Sequence, residues 1–289
     1  MHTGALKKLA LALTFWLALH TAALKAQIFT NDLPLQAITT GTNPVDFEFR
    51  ADGTLIGKGN LGVGSLLTGD QGDGTRMLWF ASLAAFRAGG ANTGLSVGSG
   101  PWDSSNIGQY SAAFGLNTTA SGAYSFAVGN GAVAYDSATI AMGQGAKAWT
   151  QGSTAMGAYT GALGYASTAL GAGSAAWGDV STATGSGTTS NGQNSISMGR
   201  CTNAAGDNSS ASGYYTIASS YDSFVLGCYN IGSSSSGTTW VATDPLFEIG
   251  NGTATTPSDA LIVYKNGNVA AQGVITAAPG GDIPMYTGE

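Results

Sequence analysis

Charge is scarce in this chain. Only 9% of its 289 residues are charged, ten basic against sixteen acidic. A surface with so few cations has no basic patch to offer a phosphate backbone, which excludes nucleic acid as a partner class. Histidine is scarcer still: His2 and His20 are the whole supply, and both lie in the first 26 residues. Those residues read as an export signal, with Lys7 and Lys8, an apolar run from Leu9 to Leu19, and small residues at Ala22, Ala23 and Ala26. Cleavage near Ala26 removes Lys7, Lys8 and Lys25 from the ten basic residues. Seven then remain against sixteen acidic, a formal charge of −9, with no histidine left. Histidine-based acid–base catalysis is thereby excluded. The apolar run is short for a membrane span, and with no cysteine after it a lipoprotein anchor is not expected. No heptads and no membrane-spanning segment are expected after the signal, so export to a cell surface or to the medium is the expectation.

What the chain has in excess is glycine, 45 residues of it. From Gly115 a glycine recurs every fourteen residues, at Gly129, Gly143, Gly157, Gly171, Gly185, Gly199, Gly213 and Gly227. Two positions before these stand Ala113, Ala127, Ala141, Ala155, Ala169, Ala183, Ser197, Ala211 and, as the exception, Val225. Four positions before stands a hydroxyl each time, from Ser111 to Ser223. Five positions after come Ala120, Ala134, Ala148, Ala162, Ala176, Ser190, Ala204 and Ala218. Fourteen residues cannot hold a crossover helix. They suffice for two short strands and two tight turns, which is one rung of a solenoid. Stacked at about 4.8 Å, nine rungs make a rod on the order of 40 Å long. Small residues on alternate positions predict a thin interior and a bulkier outer face.

On the first strand that outer face carries Phe114, Val128, Met142, Met156, Leu170, Met198 and Leu226, flanked by Ala112, Phe126, Ile140, Ile196 and Phe224. Such a stripe should not face water in a stable monomer, and symmetric self-association is the economical way to cover it. The opposite parity, with these residues filling the coil, is the other possibility that strand alternation allows. On the second strand the column reads Ser121, Tyr135, Trp149, Leu163, Trp177, Asn191, Ala205, Ser219. Its four large members, Tyr135, Trp149, Leu163 and Trp177, form either an exposed strip that grips a host protein, matrix fibre or glycan, or a strip buried by a neighbouring subunit.

The motif Ser-x-Ala-x-Gly is written SFAVG at 125–129, TIAMG at 139–143, STAMG at 153–157, STALG at 167–171 and SISMG at 195–199. It resembles the head repeat of trimeric autotransporter adhesins of the YadA-like type. The resemblance covers about 120 residues and implies an all-β, left-handed parallel β-roll of 14-residue coils, three chains about one axis, and an adhesive or structural role at a bacterial surface. The stretches 74–80 (GTRMLWF), 85–89, 102–103 and 106–111 are similar to the segment that precedes such repeats in many bacterial surface and fibre-like proteins. Physically, Met77, Leu78, Trp79, Phe80 and Phe86 are expected to plug the open end of the solenoid.

The organisation that follows is a signal peptide (1–26), an N-terminal β cap module (27–105), the head repeats (106–232), and a linker with a C-terminal β-hairpin connector (233–289). In the N-terminal module, Val45 to Phe49 and Thr54 to Ile56 flank an Asp52-Gly53 turn. Gly232 to Thr239 reads as a Gly/Ser/Thr linker, and the stretches from Pro245 and from Asp259 each run into an Asn-Gly turn. This connector resembles one that leads, in fibre-like relatives, toward a self-cleaving chaperone domain. A tail-fibre-like precursor lacking that domain is therefore the alternative to the adhesive head. A self-anchoring adhesin would finish in a barrel, which this sequence does not show.

No catalytic, cofactor or metal motif emerges. Asp136, Asp179, Asp207 and Asp222 fall near turns, but they miss alternate rungs and read as turn formers rather than calcium ligands. Asp179 and Asp207 are two rungs apart, about 10 Å, too far for a glycosidase pair. Cys201 and Cys228 are one residue short of two rungs apart, again about 10 Å along the rod, so no bridge is expected between them. Thr154, Thr168 and Thr182 share a column, but only Thr182 and Thr184 form the Thr-x-Thr pair of an ice-ordering array.

Overall fold

A computed structural model describes residues 46–49, 55–58, 74–92 and 100–273. The export signal and the Asp52-Gly53 turn lie outside these residues. The chain divides into two compact units, Met1–Gly59 and Asn60–Glu289. In the first, Asp46–Phe49 pairs antiparallel with Leu55–Lys58, Phe49 opposite Leu55, as the two strands of a hairpin.

The second unit is a parallel β-roll with a fourteen-residue coil. Nine five-residue strands, the first Ala112–Leu116 and the last Phe224–Cys228, stack in parallel along one side. Eight two-residue strands, from Thr119–Ala120 to Ile217–Ala218, stack along the other. The register advances by one coil at every step: Ala155 lies beside Ala141 and Ala169, and Ala148 beside Ala134 and Ala162. No α-helix occurs among the described residues.

The ruler glycines close the coils onto one another. Gly157 has φ +124°, and a Cβ there would run into the Gly171 carbonyl of the next coil. Only glycine satisfies both conditions. Each coil also passes two left-handed corners, one at Asn117, Gly131, Gly145 and Tyr159, the other at Tyr124, Ala138, Gly152 and Ala166.

The interior is lined by small residues, with Val225 of the last coil as the exception. The alanines two before and five after each ruler glycine are fully buried, together with the serines four before it. A fourth file, three residues after each ruler glycine, completes the lining with Thr118, Ala132, Ala146, Thr160, Ser174, Thr188, Thr202 and Thr216. The larger core cluster, from Ala113 to Ala183, contains alanine and nothing else. A buried CH₂ contributes about 0.8 kcal/mol, so each coil gains little from its own interior. The main-chain ladder carries the cohesion, for instance Lys147 N–H to Thr160 O at 2.9 Å and Thr154 N–H to Ser167 O at 2.9 Å.

The plug expected at the N-terminal end is not where the sequence placed it. Gly74–Phe80 and Ala85–Ala91 form an antiparallel hairpin that adds two strands to the long sheet, Arg87 falling in register with Ala113. Met77 and Trp79 remain 62% and 49% exposed. Met77 pairs with Ala88 and Trp79 with Phe86, which lie beside Phe114 and Ala112, so the pleat puts both on the outer face of the sheet. Arg87 and Trp102 take the place instead, both buried. The Arg87 guanidinium donates to Ser111 O (3.2 Å), Ser111 Oγ (2.8 Å) and Ala120 O (2.8 Å). Trp102 Nε1 donates to Thr118 O at 2.9 Å.

At the other end Pro245–Asn251 joins the long sheet in parallel, Glu248 in register with Val225, and Asp259–Tyr264 and Val269–Ala271 follow antiparallel. The short sheet stops differently: the Asn230 side chain accepts from Ile217 N–H (2.7 Å) and donates to Ile217 O (2.9 Å), imitating a further peptide group. The Gly232–Thr239 stretch packs back on the roll rather than standing off as a linker. Gly237 O accepts from Asp207 N–H (2.7 Å), and the Asp244 carboxylate accepts from Ser235 and Ser236 N–H (2.8 and 3.0 Å). Burial alone would raise the Asp244 carboxyl, but these two donors and the nearby Lys265 outweigh it and hold the group below the usual range.

Candidate binding surfaces

Because the coil interior admits only small residues, each large side chain of the repeats is turned outward, and two outer faces result. The first belongs to the long sheet. Phe114, Val128, Met142, Met156 and Leu170 follow one another in register on successive coils, and after Thr184 the column resumes with Met198, Ser212 and Leu226. Beside it run Ala112, Phe126, Ile140, Thr154, Thr168, Thr182, Ile196, Ser210 and Phe224. Met156, Met198, Ile140, Ile196 and Phe224 are exposed in the single chain, and Phe114, Val128, Met142, Leu170 and Leu226 are half-buried by their neighbours. Aromatic contacts fix the two ends of the face. Phe114 lies 5.5 Å from Phe86 and 5.9 Å from Phe126, and Phe224 stacks on Phe247 at 6.0 Å.

The second face belongs to the short sheet. Tyr135 and Trp177 are 56% and 55% exposed, Trp149 is exposed and Leu163 half-buried. The Tyr135 and Trp149 rings meet at 5.4 Å, tilted by 44°. The short strands thus set the four on consecutive coils. A groove that the sequence reading missed runs beside them, lined among others by Gly145, Lys147, Trp149, Tyr159, Gly161 and Leu163. Tyr159 occupies a left-handed corner, φ 55°, with its ring over Gly145 and its hydroxyl accepting from Gln144 Nε2 at 2.9 Å. The signal was present in the file two residues after each ruler glycine. That file reads Asn117, Gly131, Gly145, Tyr159, Gly173, Gly187, Cys201, Tyr215 and Tyr229, so an aromatic interrupts a corner otherwise suited to glycine or asparagine.

A third group closes the C-terminal end of the same corner. Tyr214, Tyr215 and Tyr229 contact one another with centroids 4.8–5.3 Å apart, and the Arg200 guanidinium stands 5.4 Å over Tyr214. Hydrogen bonding to Tyr214, then desolvation, pushes the Tyr229 phenol up to about 12, and a hydrogen bond with Cys201 raises Tyr215. Cys201 and Cys228 are free, Cys201 at a corner and Cys228 in a strand beside Tyr214. At the other corner, Lys265 Nζ sits over the rings of Trp240 (5.2 Å) and Tyr221 (5.9 Å), and desolvation lowers its pKa.

The aspartates serve the turns. Asp179 accepts from Tyr165 N–H and Asp207 from Gln193 N–H, both at 2.8 Å, each bond tying one coil to the one before. Asp136 accepts from Ser137 N–H at 2.6 Å. These carboxylates are spent on main-chain donors.

A comparison with curated proteins finds no match. The repeat segment does match a known family, the YadA head domain repeat, over residues 107–132, 138–160, 162–188 and 190–216, and the coils there are similar to YadA head repeats.

Proposed function

We propose that the chain is an exported, non-enzymatic head that assembles as a homotrimer and acts in adhesion, or as a spacer, at a bacterial surface. The observation that carries this reading is the inverted distribution of size. Alanine fills the interior while methionine, leucine, isoleucine and phenylalanine line the outside of the long sheet. A chain built so gains little apolar burial by folding alone and much by association. The trimer interface in this reading is the column Phe114, Val128, Met142, Met156, Leu170, Met198 and Leu226. The short-sheet flank, with Tyr135, Trp149, Leu163 and Trp177, then stays outward for a host or matrix protein or a glycan.

Light scattering on the purified chain tests the assembly, with three times the chain mass expected at micromolar concentration. Replacing Met142, Met156 and Leu170 together by Asp is expected to abolish it. Replacing Trp149 and Trp177 by Ser is expected to keep the trimer and weaken adhesion to matrix-coated surfaces. A wild-type chain that remains monomeric with the long sheet wet refutes the reading, and loss of the trimer in the tryptophan variant moves the interface to the other face.

A further inference from the structure

The groove on the short-sheet flank has a chemistry of its own. Gly161 lies in register between Lys147 and Ala175, so one side chain is missing from the sheet face where Tyr159, Trp149 and Leu163 rise around it. We propose that this groove, with the ring ladder beside it, binds a linear polysaccharide containing uronic acid units, Lys147 receiving the carboxylate. The proposal rests on the adhesive reading above and names its ligand class.

The main chain under the groove is already committed. Lys147 N–H bonds Thr160 O at 2.9 Å, Trp149 N–H bonds Ala162 O at 3.0 Å, Gly161 N–H bonds Ser174 O at 2.9 Å and Leu163 N–H bonds Ala176 O at 2.7 Å. An extended peptide recognised by strand addition needs free backbone donors and acceptors, and this face has none to give. What it offers is flat rings, a branched aliphatic side chain and a phenol, a mostly apolar lining with few polar groups that suits the apolar face of a pyranose.

Charge selects among sugars. Lys147 and Arg200 are the two cations between residues 107 and 231. Arg200 is engaged over Tyr214, whereas Lys147 is exposed and makes no ion pair among the described residues. The neighbouring acids, Asp136 and Asp179, follow Tyr135 and Trp177 in the chain and sit at the turn beyond the ring column, their carboxylates bonded to main-chain N–H groups. The groove side of the column is therefore locally positive on a chain that is otherwise acidic.

Repetition selects among acidic sugars. Tyr135, Trp149, Leu163 and Trp177 recur at the coil step of about 4.8 Å, so Trp149 and Trp177 stand roughly 10 Å apart along the roll. A ladder of constant step suits a polymer of repeated rings rather than a single terminal sugar.

The test titrates the full purified chain, by tryptophan fluorescence and calorimetry, with hexagalacturonate and its carboxyl-reduced counterpart. Sialyl-lactose and an unstructured acidic peptide are the competing probes. Hexagalacturonate is expected to bind best, more weakly as salt rises. Carboxyl reduction should cost about fivefold, as expected of one exposed ion pair. Lys147→Gln should cost about the same and erase the difference between the two hexasaccharides. Trp149→Ser should weaken both about tenfold, the loss of one stacked ring. Tighter binding of sialyl-lactose or of the peptide overturns the assignment, as does indifference to Trp149→Ser. A trimer that adheres to matrix yet ignores hexagalacturonate sinks the sugar site alone. A chain that binds hexagalacturonate but neither trimerises nor adheres sinks the adhesive reading and leaves the sugar site standing.

Discussion

Arg87 and Glu248 terminate the same interior file of side chains. Arg87 is in register with Ala113 and Glu248 with Val225, and every residue between them in that file is buried. The two ends are not equivalent. Arg87 meets three acceptors of the first coil, and burial lowers its pKa only to about 10, so it stays charged at neutral pH. Glu248 Oε2 accepts from Asn230 Nδ2 at 2.9 Å, and Oε1 has no partner.

Glu248 makes the C-terminal end sensitive to pH. Desolvation, reinforced by Asp259, pushes its carboxyl up to about 7, against 4.5 in an unfolded chain. Between these values the unfolded state is ionised while the folded state keeps its proton, so stability falls as pH rises through the window. Below about 4.5 the penalty is absent; above about 7 it is complete, at about 3 kcal/mol. Denaturant titrations from pH 4 to 8 should show this slope in the wild type, and Glu248→Gln should flatten it. An equal slope in both chains would place the titration elsewhere.

Two glycines of one coil should respond very differently to alanine. Gly157 combines φ +124° with the approach of the next coil's carbonyl, so Gly157→Ala is expected to cost at least about 3 kcal/mol. Gly173 has φ +63° and open space around it, so Gly173→Ala is expected to cost about 1 kcal/mol. Thermal melts of the two variants, side by side, check the contrast.

Val180 is the awkward corner. A β-branched residue at φ 58° stores strain of about 1–3 kcal/mol, and its side chain is exposed, so little packing offsets that cost. The next two coils hold Asn194 and Asn208 at the same corner, joined by an amide–amide bond of 3.1 Å. Val180→Asn should raise the melting temperature by several degrees. An unchanged or lower value would show that the valine packs better than its exposure implies.

The roll was legible from the sequence because its constraint is local and repeated nine times. The ruler glycine, the small residue two before it and the alanine five after it are each required by contact with an identical neighbour. The Thr118 file obeys the same logic and was visible at three residues after each glycine, although only the structure drew attention to it. The ends were not legible. Nothing in a period tells where it stops, so Met77 and Trp79 looked like a plug on hydrophobicity alone. The pleat puts these two on the outer face, and the inner end is occupied by Arg87 and Trp102, which bond Ser111, Ala120 and Thr118. The outer faces were half legible: Tyr135, Trp149, Leu163 and Trp177 could be counted along the chain. The groove needed Tyr159, which belongs to a corner rather than a strand, and Gly161, which contributes by lacking a side chain.

Trp102 bonds the first coil at Thr118 O, and Asn230 bonds the last short strand at Ile217 and the closing strand at Glu248. Neither fitting senses how many turns separate them. Duplication or loss of a whole 14-residue unit would leave both joints intact and change only the reach of the molecule, in increments of about 4.8 Å. Evolution can therefore lengthen or shorten this head by copying DNA in multiples of one period, with no new termination chemistry to invent.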